Sequence, residues 1–194
     1  MGMYKYVREA WKKPGESITD LMHQRLISWR AEPATVKLDH PTRIDRARSL
    51  GYRAKEGIFV IRQRVPRGGH RKPFPKGGRR SAKWTTRKTL MLNYRGIAEQ
   101  RAAKQYSNCE VLNSYEVGKD GKNVWYEVIM IDISHPAIKS DPALSWITTG
   151  KHHGRAFRGL TSAQKKSRGL RGKGFGFEKM RPSKTADLNR RRDF

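Results

Sequence analysis

The chain has 194 residues, and 43 Lys+Arg against 17 Asp+Glu leave a formal charge of +26, a self-repulsion that opposes a compact state unless an anion neutralises it. The single cysteine, Cys109, rules out an intramolecular disulfide and a Cys-rich zinc site. The longest stretch free of Asp, Glu, Lys and Arg is residues 142–150, far short of the ~18 apolar residues that span a bilayer. The first residues, MGMYKY, carry no apolar signal run and have Tyr6 where a myristoylation site needs Ser or Thr. These features point to a cytosolic chain with a polyanionic partner.

In chain order, Tyr4–Lys13 has the pattern of a helix. A second helix starts near Ser17, with Asp20 three residues on as a variant capping box, and runs towards Trp29. "PTRIDRARSLG" gives a third, with Thr42 as N-cap, Asp45 in the first turn and Gly51 beyond the last. Ile58–Val65 reads as a strand that ends where Pro66 removes a ladder donor. Asn93 caps a fourth helix, Tyr94–Gln105. Cys109–Val117 alternates in the period of a half-buried strand, Gly118–Asn123 is a turn of hairpin length, and Asn123–Ile133 is β-branched and aromatic enough for a central strand. Thr161 or Ser162 caps a short helix that Gly169 ends. The order implies an α+β fold: a small, mostly antiparallel sheet with packed helices. One core domain over 1–150, interrupted by a basic loop at 66–89 and followed by a basic extension over 151–194, is the economical organisation.

Charge is distributed unevenly. Between Glu56 and Glu99 lie twelve Lys/Arg and no acid, and residues 151–194 carry fourteen against three. Residues 105–147, by contrast, hold three Lys and six acids and behave like ordinary protein. In "VIRQRVPRGGHRKPFPKGGRR", Arg62, Arg64, Arg67, Arg71, Lys72, Lys76, Arg79 and Arg80 supply donors. Arg suits phosphate because its planar fork donates two parallel hydrogen bonds. Pro66, Pro73 and Pro75 extend the backbone there, while Gly68-Gly69 and Gly77-Gly78 permit turns and close approach. So long a loop is functional or disordered, and this one has too little apolar surface to order itself without a partner. The second basic stretch, "RGLTSAQKKSRGLRGKGFGF", interleaves Phe175 and Phe177 with cations, as Lys83, Trp84 and Arg87 do in the first. Such mixtures suit RNA, whose unpaired bases stack on aromatic rings while its phosphates take the charge.

Other chemistries fit less well. "KGFGF" matches the start of an RNP1 signature, but seventeen residues follow it, too few for the helix and strand that motif requires. Cys109, Asp132 and His135 form no convincing nucleophile–base set, and His152-His153 lacks a third ligand at useful spacing. No enzyme activity, metal, cofactor, small-molecule substrate or membrane partner is expected. An architectural DNA-binding protein is the competing reading, although the sequence offers it no heptad seam or groove-reading helix.

"MYKYVREAWKKP", "RARSLGYRAKEGIFVIRQRVPRGGHRKPFPKG", "VLNSYEVG", "YEVIMID" and "RGLTSAQKKSRGL" together resemble the fifteen-e family of ribosomal proteins of the archaeal and eukaryotic large subunit. The resemblance covers residues 1–175, and the tail looks archaeal rather than animal. It implies a structural protein of cytoplasmic ribosomes, bound to large-subunit rRNA and to neighbouring ribosomal proteins, with no catalytic role. It carries RNA contact onto Arg62 through Lys88, including Gly68, Gly69, His70, Lys83, Trp84, Arg87 and Lys88. It carries the same role onto Arg155, Arg158, Lys165, Lys166, Arg168, Arg171 and Lys173.

Overall fold

Every residue from Val124 to Ile131 is buried, which sets the architecture: the strand that holds them must be covered on both faces. In the computed structural model, which describes residues 2–70, 77–78 and 89–192, this strand is β4, Asn123–Asp132. It lies between β2 (Ile58–Pro66) and β3 (Cys109–Lys119), and β1 (Thr35–Leu38) completes a four-stranded antiparallel sheet in the order β1-β2-β4-β3. The period of two along each strand divides its side chains between two cores. Trp125, Ile129 and Ile131 join Val60, Trp29, Ile138 and Ile147 on one face, and Val128 and Met130 join Ile61, Val111, Ala98 and Ala102 on the other. The α+β class and the antiparallel sheet are therefore as the sequence implies.

Helices supply the two covers. α1 (Met3–Lys12), α2 (Glu16–Ala31) and α3 (Ile44–Ser49) lead in, and α2 places Trp29 on the first face, 6.0 Å from the ring of Trp125. Its close seat on β3 needs the missing side chain of Gly118, where a Cβ would meet Leu26 at 3.2 Å and Trp29 at 3.3 Å. α4 (Tyr94–Gln105) covers the second face with Ala98, Ala102 and Ala103. Its small residues bring the helix axis close to the sheet. Asn93 caps it as its sequence implies, with Oδ1 accepting from the Gly96 N–H at 2.7 Å.

Several expectations are corrected. β3 is buried over most of its length rather than alternately, because bulges between Val111 and Asn113 and between Glu116 and Gly118 shift its register against β4. Those bulges let it run on to Lys119, so the turn is shorter than residues 118–123. The second helix is preceded by Gly15, not capped by Ser17, and the third by Arg43, not Thr42. Thr42 instead gives its backbone N–H to Glu127, at 3.1 and 3.2 Å from the two carboxylate oxygens. β1 was missed: four residues at a sheet edge, one of them Lys37, carry no clear pattern.

The first part of the C-terminal extension is not detached. Ala156, Thr161, Ala163 and Gln164 are buried. α5 (Pro136–Lys139) and two turns of 3-10 helix lead to α6 (Ser162–Ser167), which Thr161 caps and which Gly169, at φ +73°, follows. α6 is sewn to the start of α4: the Gln164 side-chain amide donates to Gly96 O at 3.1 Å, and that of Asn93 to Ala163 O at 2.9 Å. A helix, α7 (Lys184–Arg192), forms in the tail where none was expected. "KGFGF" lies in no strand, and a 3-10 turn begins at its last residue, Phe177.

Candidate nucleic-acid interface

The basic residues named from the sequence separate into three groups. Arg62 and Arg155 are used inside the fold. Arg62, 7% exposed, pairs with Glu32 and stacks 4.4 Å from the Trp29 ring. Arg155, 9% exposed, donates to the carbonyls of Val111 at 2.8 Å and Leu112 at 3.3 Å and lies 5.0 Å from the Trp146 ring. Both side chains are buried and engaged within the fold, which sets them apart from the exposed cations named with them.

A second group sits on or near the surface with its charge uncompensated. Arg64 and Arg67 donate to the carbonyls of Arg30 and Asp120, each at 2.7 Å. Arg158 and Arg168 likewise hold carbonyl oxygens, those of His153 at 2.8 Å and Gly159 at 3.1 Å, and Arg171 bonds the Ser162 hydroxyl. Such bonds orient a guanidinium without neutralising it. His70, Lys165, Lys166 and Lys173 are exposed, as are Gly68 and Gly69. Gly68 has φ +109° and is gripped by Tyr94, whose hydroxyl accepts from its N–H at 2.7 Å and donates to its carbonyl at 3.0 Å. The third group, Arg71, Lys72, Lys76, Arg79, Arg80, Lys83, Trp84, Arg87 and Lys88, lies outside the described residues.

Three glutamates go the other way. Glu99, Glu110 and Glu127 are at most 4% exposed. Glu110 accepts from the N–H groups of Gly154 at 2.6 Å and Arg155 at 3.3 Å. Glu99 accepts from the hydroxyls of Ser114 and Thr161, tying α4, β3 and the entry to α6 together. Residues 105–147 therefore present less negative charge than their composition implies, because two of their six acids bond backbone and hydroxyl donors in the interior. Of the groups weighed above for catalysis, Cys109 is buried and His135 caps a helix. Burial pushes the Cys109 thiol up to about 11, and His135 Nδ1 accepts from the Ala137 N–H at 3.2 Å as the cap of α5.

Burial also pushes the Glu99 carboxyl above its ordinary value, and Ser114, Thr161 and Arg95 pull it back without cancelling the shift. A carboxyl raised in the folded state contributes most stability below the ordinary carboxylate range, and that contribution falls as pH rises through the raised value. Glu99→Gln, which fixes an uncharged side chain there, is expected to gain on wild type as pH rises from about 5 to about 8. Urea midpoints across that interval check this; a difference independent of pH would sink it.

Tertiary folding assembles one further basic feature, between elements far apart in sequence. A cleft of about 620 Å³ is lined by Arg8 and Lys12 of α1, Arg43 and Arg46 at α3, Arg95 of α4, Lys166 of α6, and Arg171. The carboxylates facing it are Asp45 and Glu116, and Asp45 is buried, 3.5 Å from Arg43. Of these cations, Arg8, Lys12, Arg43, Arg46 and Arg95 were not anticipated. Each sits singly in a helix pattern; only tertiary packing groups them, and the first four meet through the packing of α1 on α3. That packing is slight: no residue of α1 is buried, and its contacts include Arg43 over the Trp11 ring at 4.6 Å and Arg48 over the Tyr4 ring at 5.2 Å. Exposed pairs of this kind contribute about 0.5–1 kcal/mol each.

Fold and cleft together define a small, strongly basic α+β protein in which Asp45, Glu99, Glu110 and Glu127 are buried while most of the described cations lie at the surface. The family model described as "Ribosomal L15" matches residues 2–187, and the chain belongs to that family, the L15e proteins of the large ribosomal subunit. It is accordingly a ribosomal protein, a component of a ribonucleoprotein that serves translation.

Proposed function

We propose that the chain is a non-catalytic structural constituent of the large subunit of cytoplasmic ribosomes. In this role it binds and stabilises folded large-subunit rRNA through its Gly/Pro-rich basic segments, with neighbouring ribosomal proteins as further contacts. The observation that carries this reading is the sorting of charge. Arg67, Lys165, Lys166, Arg168, Arg171 and Lys173 remain exposed with no acid paired to them, while Glu99, Glu110 and Glu127 are buried. Such a surface is stable against a polyanion and self-repelling without one. Recognition runs through shape, phosphate and 2′-hydroxyl contacts, since the major groove of an RNA helix is too deep and narrow for side chains to read. The residues between Arg71 and Lys88 belong to the same proposed surface on their composition.

Gradient fractionation tests the reading: the chain should sediment with large subunits, and recovery with chromosomal DNA would favour an architectural DNA-binding role. Within that assay, replacing Gly68-Gly69 by Val-Val is expected to reduce incorporation. Gly68 holds φ +109°, and a β-branched residue forced into such a conformation costs about 1–3 kcal/mol. The Tyr94 clamp on the loop would loosen with it. Normal incorporation of the double variant would remove Gly68 from the argument.

A further inference from the structure

The cleft between α1, α3, α4 and α6 lies mostly outside the two segments assigned to RNA, and its construction is unusual for a surface that stays empty. Arg8, Lys12, Arg46 and Lys166 line it and are exposed. No hydrogen bond or ion pair within the described residues engages the side chains of these four. Two of them stand on α1, and the other two face it from α3 and α6. Like charges on opposed walls of one cleft repel, and the repulsion acts on the wall least able to resist it. α1 has ten residues, below the length at which an isolated helix holds in water. It buries none of them, and stacking of Trp11 and Tyr4 on two guanidiniums helps to hold it against α3.

We infer that this cleft is a second RNA site, which takes consecutive backbone phosphates of a bent strand, and that the phosphates dock α1 onto α3. An anion between the walls turns their mutual repulsion into a shared attraction, so the helix closes over the strand it binds. The identity of the anion as RNA rests on the rRNA-binding reading above; the closure of α1 does not. Arg95 and Arg43 hold the floor of the cleft. Arg95 donates to Ser114 Oγ at 2.7 Å and to Asn113 Oδ1 at 2.5 Å, and Arg43 sits beside Asp45. Arg95 is thus tied to β3, whereas α1 buries no residue and is the wall that closes under this proposal.

Hydrogen exchange on the full chain, with and without a ten-nucleotide oligouridylate at low salt, tests the inference. The amides of Met3–Lys12 are expected to exchange about tenfold or more slowly when the oligonucleotide is bound. Arg46→Gln with Lys166→Gln, both at exposed positions, should keep the fold and abolish that protection while leaving the sheet amides unchanged. Protection of other regions but not of α1, protection of α1 that survives in the double variant, or no response to saturating oligonucleotide would each overturn it. Equal protection by a polyaspartate of the same charge would assign the cleft to an acidic protein segment and overturn the RNA assignment. Failure to sediment with large subunits would refute the proposed rRNA-stabilising role and leave the α1 result standing on its own measurement.

Discussion

Raising monovalent salt from about 50 to about 200 mM is expected to weaken binding of the chain to large-subunit rRNA by about a thousandfold or more. Each phosphate neutralised by Lys or Arg releases condensed counterions, so log affinity falls against log salt with a slope of about −0.9 per contact on a duplex. Arg67, Lys165, Lys166, Arg168, Arg171 and Lys173 alone would give about −5 on that rule. Replacing one of the lysines with Gln should reduce the slope by about one and weaken binding to all RNA sequences alike. The buried arginines provide the contrast. Arg62→Gln or Arg155→Gln should leave the slope unchanged while lowering the urea midpoint, since Arg62 pairs with Glu32 and Arg155 holds two β3 carbonyls. A slope of about −2 or shallower for the wild-type chain would contradict phosphate neutralisation as the main source of affinity.

Glu127→Ala is expected to destabilise the fold by about 2 kcal/mol or more, the cost of leaving two donors unpaired. Glu127 is fully buried at the centre of β4, where its carboxylate accepts from the Tyr115 hydroxyl and from the Thr42 N–H. Alanine leaves both donors in the interior without a partner, and each such group costs about 1–3 kcal/mol. Tyr115→Phe removes one donor cleanly and should cost less than the alanine change. A double-mutant cycle between the two should return a coupling of about 1 kcal/mol or more. The Thr42 bond also fixes the entry to α3, so Glu127→Ala should speed hydrogen exchange in residues 42–49 more than in β2. A variant with wild-type urea midpoint would show that the interior tolerates the loss.

Much of the molecule was legible in advance because its signals are local. Asn93 and Thr161 cap their helices through bonds to residues three positions on, and Gly51 and Gly169 end theirs at positive φ. Ile58 and Asn123 open strands where the β-branched runs begin. Among residues 151–173 the cations lie at the surface, apart from Arg155. What failed depended on distant residues. Ser17 and Thr42 have the right chemistry for caps, but Thr42 is drawn to Glu127, eighty-five positions away. Arg62 and Arg155 looked like their exposed neighbours, and only the positions of Glu32, Trp29 and the β3 carbonyls turn them inward.

The order of helices and strands, the family and the excess of cations are properties of the chain read along its length, because caps, period-two patterns and net charge need no knowledge of what lies across the fold. Which cations face outward, which carboxylates are hidden and where Arg8, Arg46 and Lys166 meet were decided by tertiary packing. A buried charge persists only where a specific partner arrives to satisfy it, and the arrival of that partner is a fact of three dimensions.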